Sequence, residues 1–310
     1  MTVAAELPVE GALPDFGGAT RWLNSEPLTP DGLRGSVVVV QFCTYSCVNW
    51  IRTLPYVRAW VRAYRERGLV VVGAHAPEFA FERELEGVRR AIEQLGVEHP
   101  IVLDNKYAIW RSFSNQYWPA LYLVDGEGRL RYEHFGEGAY SETEAAIRQL
   151  LSADGEPVRV EPTGIEVAAD SDSLGSPETY LGHARGERRA GDGAEELGLN
   201  QWALAGQWTV EEEGAVLDAA TGSIAYRFQA RDVNLVLTPT TPGADVRFTV
   251  LLDGQPPGDA HGIDVNPLGV GTVSEPRLYQ LVRQPGAVSE HTFEITFLDP
   301  GVRAYVFTFG

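Results

Sequence analysis

Cys43 and Cys47 are the only cysteines among 310 residues, and both fall in one turn, Phe42-Cys43-Thr44-Tyr45-Ser46-Cys47-Val48-Asn49-Trp50. The β-branched run Val37-Val38-Val39-Val40 before it predicts a buried strand, and the apolar spacing after it predicts a helix. A thiol at a strand-to-helix junction sits at the positive end of the helix, where thiolate is favoured and reactivity rises. The chemistry open to these residues is thiol attack on a disulfide or a peroxide, with Cys47 as nucleophile and Cys43 as candidate resolving thiol. No metal or organic cofactor is expected.

Periodicity supplies the elements that must hold this turn. Ser36–Phe42 is the first strand. Residues 47–67 carry apolar side chains at Val48, Ile51, Leu54, Val57, Val61 and Tyr64, a helical stripe with Pro55 inside it as an expected kink. Gly68 ends that helix, and Leu69–His75 is a second buried strand. Residues 81–95 read as an amphipathic helix stopped by Gly96, with Glu82, Glu84 and Glu86 expected on a solvated face. His99–Leu103 is a short extended piece, and residues 106–114 are a short helix. Ala120–Val124, a turn at Asp125-Gly126-Glu127-Gly128 and Arg129–His134 predict a hairpin. Ser141–Leu151 is a closing helix, with Ser141 as N-cap and Glu144 at the capping-box position.

The texture changes after residue 152. Residues 153–200 are rich in Gly, Ala, Glu, Asp, Ser and Pro with weak periodicity, and from about Trp202 the pattern is all-β. Strands are expected at Gly222–Ala230, Asn234–Thr238, Val246–Leu252, Arg277–Arg283, His291–Leu298 and Ala304–Phe309, a spacing that suits a sandwich or jelly roll. The chain therefore divides into an α/β domain over residues 1–155, a linker and irregular lead-in over 156–200, and a β-sandwich over 201–310. Trp202, Trp208, Tyr226, Tyr279 and Tyr305 have the aromatic faces that stack on sugars, but alternation places most of them in the core.

Composition narrows the partners. With 43 acidic and 25 basic residues, a net charge of −18, the chain lacks the basic surface that nucleic acid or an anionic membrane would require. No apolar run approaches the ~18 residues of a membrane-spanning helix. Residues 1–10 lack a basic start and an apolar core, so no secretory signal is expected and the location reads as cytoplasmic. Two cysteines are too few for a disulfide framework, and in a reducing compartment such a pair points to catalysis or redox sensing.

A strand, a cysteine heading a Pro-bearing helix, and a later residue–Pro before a hairpin together resemble the thioredoxin fold over residues 15–152. The added strand and helix around residues 76–117 are similar to the insertion of peroxiredoxin-like and TlpA-like members. More closely, Gly18-Ala19-Thr20-Arg21-Trp22-Leu23-Asn24, Thr44-Tyr45-Ser46-Cys47, Gly73-Ala74-His75-Ala76-Pro77-Glu78-Phe79 and Leu103-Asp104-Asn105 resemble the soluble thioredoxin-like region of DipZ-type proteins. Ser176-Pro177-Glu178-Thr179-Tyr180-Leu181-Gly182 resembles the segment that leads there into a carbohydrate-module-like β domain.

The resemblance implies a thiol–disulfide oxidoreductase or thiol peroxidase, with a disulfide or peroxide substrate and an external thiol or thioredoxin-type reductant. A glycan or small ligand is the implied partner of the β domain. It places a cis-proline at Trp118-Pro119, facing Cys47 across a groove walled by Thr44, Tyr45, Trp50 and Trp118. His75, at a strand end near that edge, is a candidate to tune Cys47, with a satisfied strand-end histidine as the leading reading.

Three positions depart from the family pattern. Trp50 stands where the resolving cysteine of CxxC belongs, Cys43 replaces an aromatic, and Gln41 replaces a buried acid that handles protons. Four readings stay open. Cys43 and Cys47 form a rewired redox pair, or Cys47 works alone through a mixed disulfide or sulfenic acid. Otherwise the domain is a non-catalytic binding module plugged by Trp50, or CxxxC with His75 or His134 binds copper as in Sco-type chaperones. Asp125-Gly126 occupies the hairpin position where a copper-binding His would be expected, and His99, His183, His261 and His291 show no ligand spacing.

Overall fold

A seven-stranded mixed sheet carries the cysteine turn. It belongs to the first of two units, Met1–Glu166 and Val167–Gly310, in a computed structural model that describes residues 6–192 and 196–310. The readings of the chain start and of the lead-in fall partly on residues 1–5 and 193–195, outside the described residues. The strands are β1 (Gly11–Ala12), β2 (Arg21–Leu23), β3 (Val37–Cys43), β4 (Leu69–His75), β5 (Ile101–Leu103), β6 (Ala120–Val124) and β7 (Arg129–Phe135). They lie in the order β1-β7-β6-β3-β4-β5-β2. The helices are α1 (Val48–Tyr64), α2 (Leu85–Gln94), α3 (Ala108–Ser112) and α4 (Tyr140–Leu151).

Central β3 runs parallel to β4 and antiparallel to β6, and every residue of it is buried. That explains its continuous apolar run, since both faces of the strand are covered. Its two-residue period sends Val38, Val40 and Phe42 into one core with Val72, Val102, Ile109 and Phe113. Val37 and Val39 enter the other, with Val57, Trp60 and Tyr64 of α1 and Ile147 of α4. The same parity places Gln41 and Cys43 on the α1 side. Pro55 lies inside α1, which ends in a 3-10 turn and the left-handed Gly68 (φ 96°).

Two expectations are corrected. Residues 81–95 do not form one helix. A 3-10 turn, Ala80–Arg83, is followed by extended Glu84 and then α2, and Glu82 is wholly buried rather than solvated. Ser141 does not cap α4. Ala139 does so in the left-handed region, and Glu144 is buried, accepting hydrogen bonds from Tyr64 Oη at 2.5 Å and Val158 N–H at 2.7 Å. At Glu144 tertiary donors displace the local pattern, and at Glu82 the tertiary Ser46 donors join the local Phe79 N–H.

The second unit is antiparallel throughout its named strand pairs. These strands are β8 (Thr179–Tyr180), β9 (Trp202–Ala205), β10 (Trp208–Val210), β11 (Ala215–Leu217), β12 (Gly222–Gln229), β13 (Asp232–Pro239), β14 (Val246–Leu252), β15 (Val270–Val273), β16 (Arg277–Arg283), β17 (Glu290–Phe297) and β18 (Val302–Phe309). One sheet runs β10-β11-β18-β13-β16, with β8 paired to β18, and the other β15-β14-β17-β12-β9. Tyr226, Phe228, Phe248 and Phe293 of one sheet meet Leu235, Phe307 and Phe309 of the other in a single core. Trp202, Tyr226, Tyr279 and Tyr305 are buried and Trp208 is partly so, which makes them packing residues first. Among the described residues no helix is long and apolar enough to cross a membrane.

Candidate thiol site

β3 ends at Cys43 and α1 begins at Val48, which makes Cys47 the N-cap residue of that helix (φ −78°, ψ 113°). The turn closes with Cys47 N–H donating to the Thr44 carbonyl at 3.2 Å, and α1 starts with Ile51 N–H donating to the Cys47 carbonyl at 3.0 Å. Cys47 is half-buried, and the first turn of α1 contains no acidic residue. The N–H groups at that end favour a negative charge on the cap side chain.

Cys43 lives in a different environment. It is still a strand residue, with His75 as its β4 partner and its carbonyl accepting the Ala76 N–H at 2.9 Å. It is 1% exposed and not bridged to Cys47. Burial above all, then negative charge at Cys47 and Glu82, pushes its thiol far up from the ordinary cysteine range. A thiol held protonated in this way is a poor attacking group.

Beneath Cys47 the two other departures from the family pattern turn out to be partners. Trp50 Nε1 donates to Gln41 Oε1 at 3.1 Å, and Gln41 Nε2 donates to Thr53 Oγ1 at 2.9 Å. Thr53 Oγ1 in turn donates to the Trp50 carbonyl at 2.7 Å. An indole and an amide thus fill, and mutually satisfy, the places expected for a resolving thiol and a buried acid. A carboxylate at residue 41 would also accept from the indole, but it could not donate to Thr53.

Most of the expected groove residues are buried. Trp118–Pro119 is cis, and Trp118 is partly exposed, donating Nε1–H to the Ala76 carbonyl at 3.0 Å and packing on Trp110 at 4.3 Å between ring centroids. Pro119, Thr44, Tyr45, Trp50 and His75 are all buried, so they form a floor rather than walls. The cover comes from the 3-10 turn and α2: Phe81 meets the Tyr45 ring edge-on at 5.8 Å, and glycine at residue 87 leaves room for the Tyr45 hydroxyl. His75 stacks on Tyr45 at 5.8 Å, and burial lowers its pKa to about 4, which keeps the ring neutral. The copper alternative lacks a ligand set, since no group of three or more His, Cys, Asp or Glu among the described residues is arranged to hold a metal ion.

Glu82 is the site residue that pattern reading missed. Its carboxylate accepts from Ser46 N–H and Oγ and from the N–H groups of Glu78 and Phe79. Burial raises its pKa, while Ser46, Thr44 and the Phe79 backbone hold it down. The available signal was the Phe79-x-x-Glu82 spacing, half of a capping box, which points the acid back at the chain.

The sheet order, the cis-proline and a cysteine capping the helix after the central strand define a thioredoxin-like protein. Residues 176–310 match the family described as thioredoxin like C-terminal domain. Over 269 residues, 82% of this chain, the sequence is 37% identical to Protein DipZ of Mycobacterium tuberculosis, of which it covers 38%. The chain thus spans well under half the length of that relative. Thiol-disulfide oxidoreductase YkuV of Bacillus subtilis is 24% identical over 140 residues, 45% of this chain and 94% of YkuV. Among solved structures, that of a thioredoxin-like protein in the oxidized form matches with a TM-score of 0.43 at 26% identity, covering 46% of this chain and 95% of that one. The first unit thus has a thioredoxin-like fold, and the chain is similar in sequence to DipZ and, over 140 residues, to YkuV.

Proposed function

We propose that the first unit is a thiol–disulfide oxidoreductase in which Cys47 is the only reacting thiol and an external thiol regenerates it. The observation that carries this reading is the contrast at the turn. Cys47 caps a helix and reaches solvent, while Cys43 is locked into β3 as a buried, protonated thiol. Cys47 thiolate attacks one sulfur of a substrate disulfide. The Cys47–substrate bond forms, the substrate S–S bond breaks, and the departing thiolate takes a proton from water. An external thiolate then attacks Cys47 Sγ and expels the second substrate thiolate. A second external thiolate frees Cys47 and leaves an external disulfide. Two electrons pass from two external thiols to the substrate. Thr44 is wholly buried, which favours a disulfide over a peroxide that a surface hydroxyl would have to orient.

The test is turnover of a small disulfide with excess glutathione as donor. Cys47→Ser is expected to lose activity on the order of a thousandfold or more. Cys43→Ala is expected to keep turnover within about twofold of wild type, the change being a small core substitution. Equal loss in both variants would contradict the single-thiol route and support the rewired pair.

A further inference from the structure

The proposed reaction leaves one buried charge at the turn unused. Both oxygens of Glu82 are fully engaged: Oε1 accepts Ser46 N–H at 3.2 Å and Ser46 Oγ–H at 2.6 Å, and Oε2 accepts Glu78 N–H at 2.6 Å and Phe79 N–H at 3.0 Å. Four donors suit an ionised carboxylate, since a carboxyl proton would need an acceptor where the chain supplies donors. All four donors are neutral, so they stabilise the charge without cancelling it. Ser46 directly precedes Cys47 and lies 36 residues from Glu82 in sequence. One side chain therefore joins the cysteine turn to the loop that follows β4.

We propose that Glu82 is a positioning residue of the thiol site: it ties Ser46, and through it Cys47, to the loop after β4, and its uncancelled charge sets the pH at which Cys47 reacts. This rests on Cys47 being the nucleophile. The titratable groups that feel the carboxylate are Cys43 on the turn and Glu78 on the loop, and Ser46, which it holds, is bonded directly to Cys47. Negative charge at Glu82 opposes ionisation of the nearby thiols, and the N-terminus of α1 favours it at Cys47. The two influences act in opposite senses on one sulfur, and only the first is removed by replacing a single side chain.

The experiment is alkylation of the full chain by iodoacetamide between about pH 5 and pH 10, read at Cys47 by peptide mass mapping. Glu82→Gln is expected to move the midpoint down by about one pH unit, because a like charge leaves the site. An unmoved midpoint in a Glu82→Gln protein whose near-ultraviolet circular dichroism is native would overturn the electrostatic role. Wild type supplies a second test that needs no variant. The amides of Ser46, Glu78 and Phe79 share one acceptor, so their hydrogen-exchange protection is expected to fall together at one acidic midpoint. Separate midpoints would overturn the anchoring role. A wild type that is not alkylated at Cys47 anywhere in the range would overturn the nucleophile reading and the electrostatic role with it, while the amide measurement would still decide the anchoring.

Discussion

At Cys43 the chain is still sheet, and four residues later Cys47 caps a helix. The strand end is sealed by β4, α1 and the 3-10 turn at Ala80–Arg83, and its polar neighbours His75 and His99 are neutral because burial lowers both to about 4. The helix start is half-open, and its backbone N–H groups favour an anion. Two identical thiols therefore stand in opposite environments, one sealed and held protonated, the other at a helix end that favours an anion. The number of residues between two cysteines says how closely they can approach, not which of them reacts.

The sharpest way to break this comparison is to disturb the floor beneath Cys47. Trp50→Ala removes a 1%-exposed indole and leaves the Gln41 carbonyl without its donor, at a cost of about 3–5 kcal/mol. Urea denaturation monitored by circular dichroism measures it. A cost below about 1 kcal/mol would show that the Gln41–Trp50–Thr53 circuit does not support the turn.

Acid tests the sealed end. His75 and His99 are buried, and both titrate at about 4 in the folded chain against about 6.5 when unfolded. Between those values the unfolded chain binds protons that the folded chain refuses. Their contribution is complete above pH 6.5 and is lost as pH falls toward 4, by about 3 kcal/mol for each histidine. Urea midpoints across that window are expected to fall steeply, and His75→Gln to flatten the slope by roughly half, since one of the two groups is gone. A slope unchanged by His75→Gln would mean that the strand end is wet. The smallest effect belongs to Glu86, which is exposed and paired with exposed Arg89 at 3.3 Å. Glu86→Gln is expected to change stability by less than about 0.5 kcal/mol, in contrast to buried Glu82 four residues earlier.

Much of this was legible from residue order. Leu69–His75, Ala120–Val124, Val246–Leu252 and Arg277–Arg283 are strands at the residues expected, because long β-branched or alternating runs leave few other ways to hide apolar surface. β8, β9, β10, β11 and β15 were not expected, being two to four residues long and too short to show a period. The cis-proline and the helix-capping cysteine could be placed by resemblance, and Gln41 and Trp50 could be seen as departures. That those two hydrogen-bond each other could not, because residue order does not reveal which tertiary neighbours meet. Glu82 failed for a related reason. Alternating acids suggest a wet surface, and burial is tolerable only because the Ser46 hydroxyl and N–H from a distant segment join the local N–H groups of Glu78 and Phe79.

The most direct test of the central claim is intact mass and thiol count after reduced protein meets one equivalent of oxidised glutathione. The account predicts a single glutathione adduct on Cys47, with Cys43 still a thiol that alkylates only after unfolding. Loss of two mass units with no adduct and no alkylatable thiol would mean that Cys43 leaves β3 to form a disulfide with Cys47, and would contradict it.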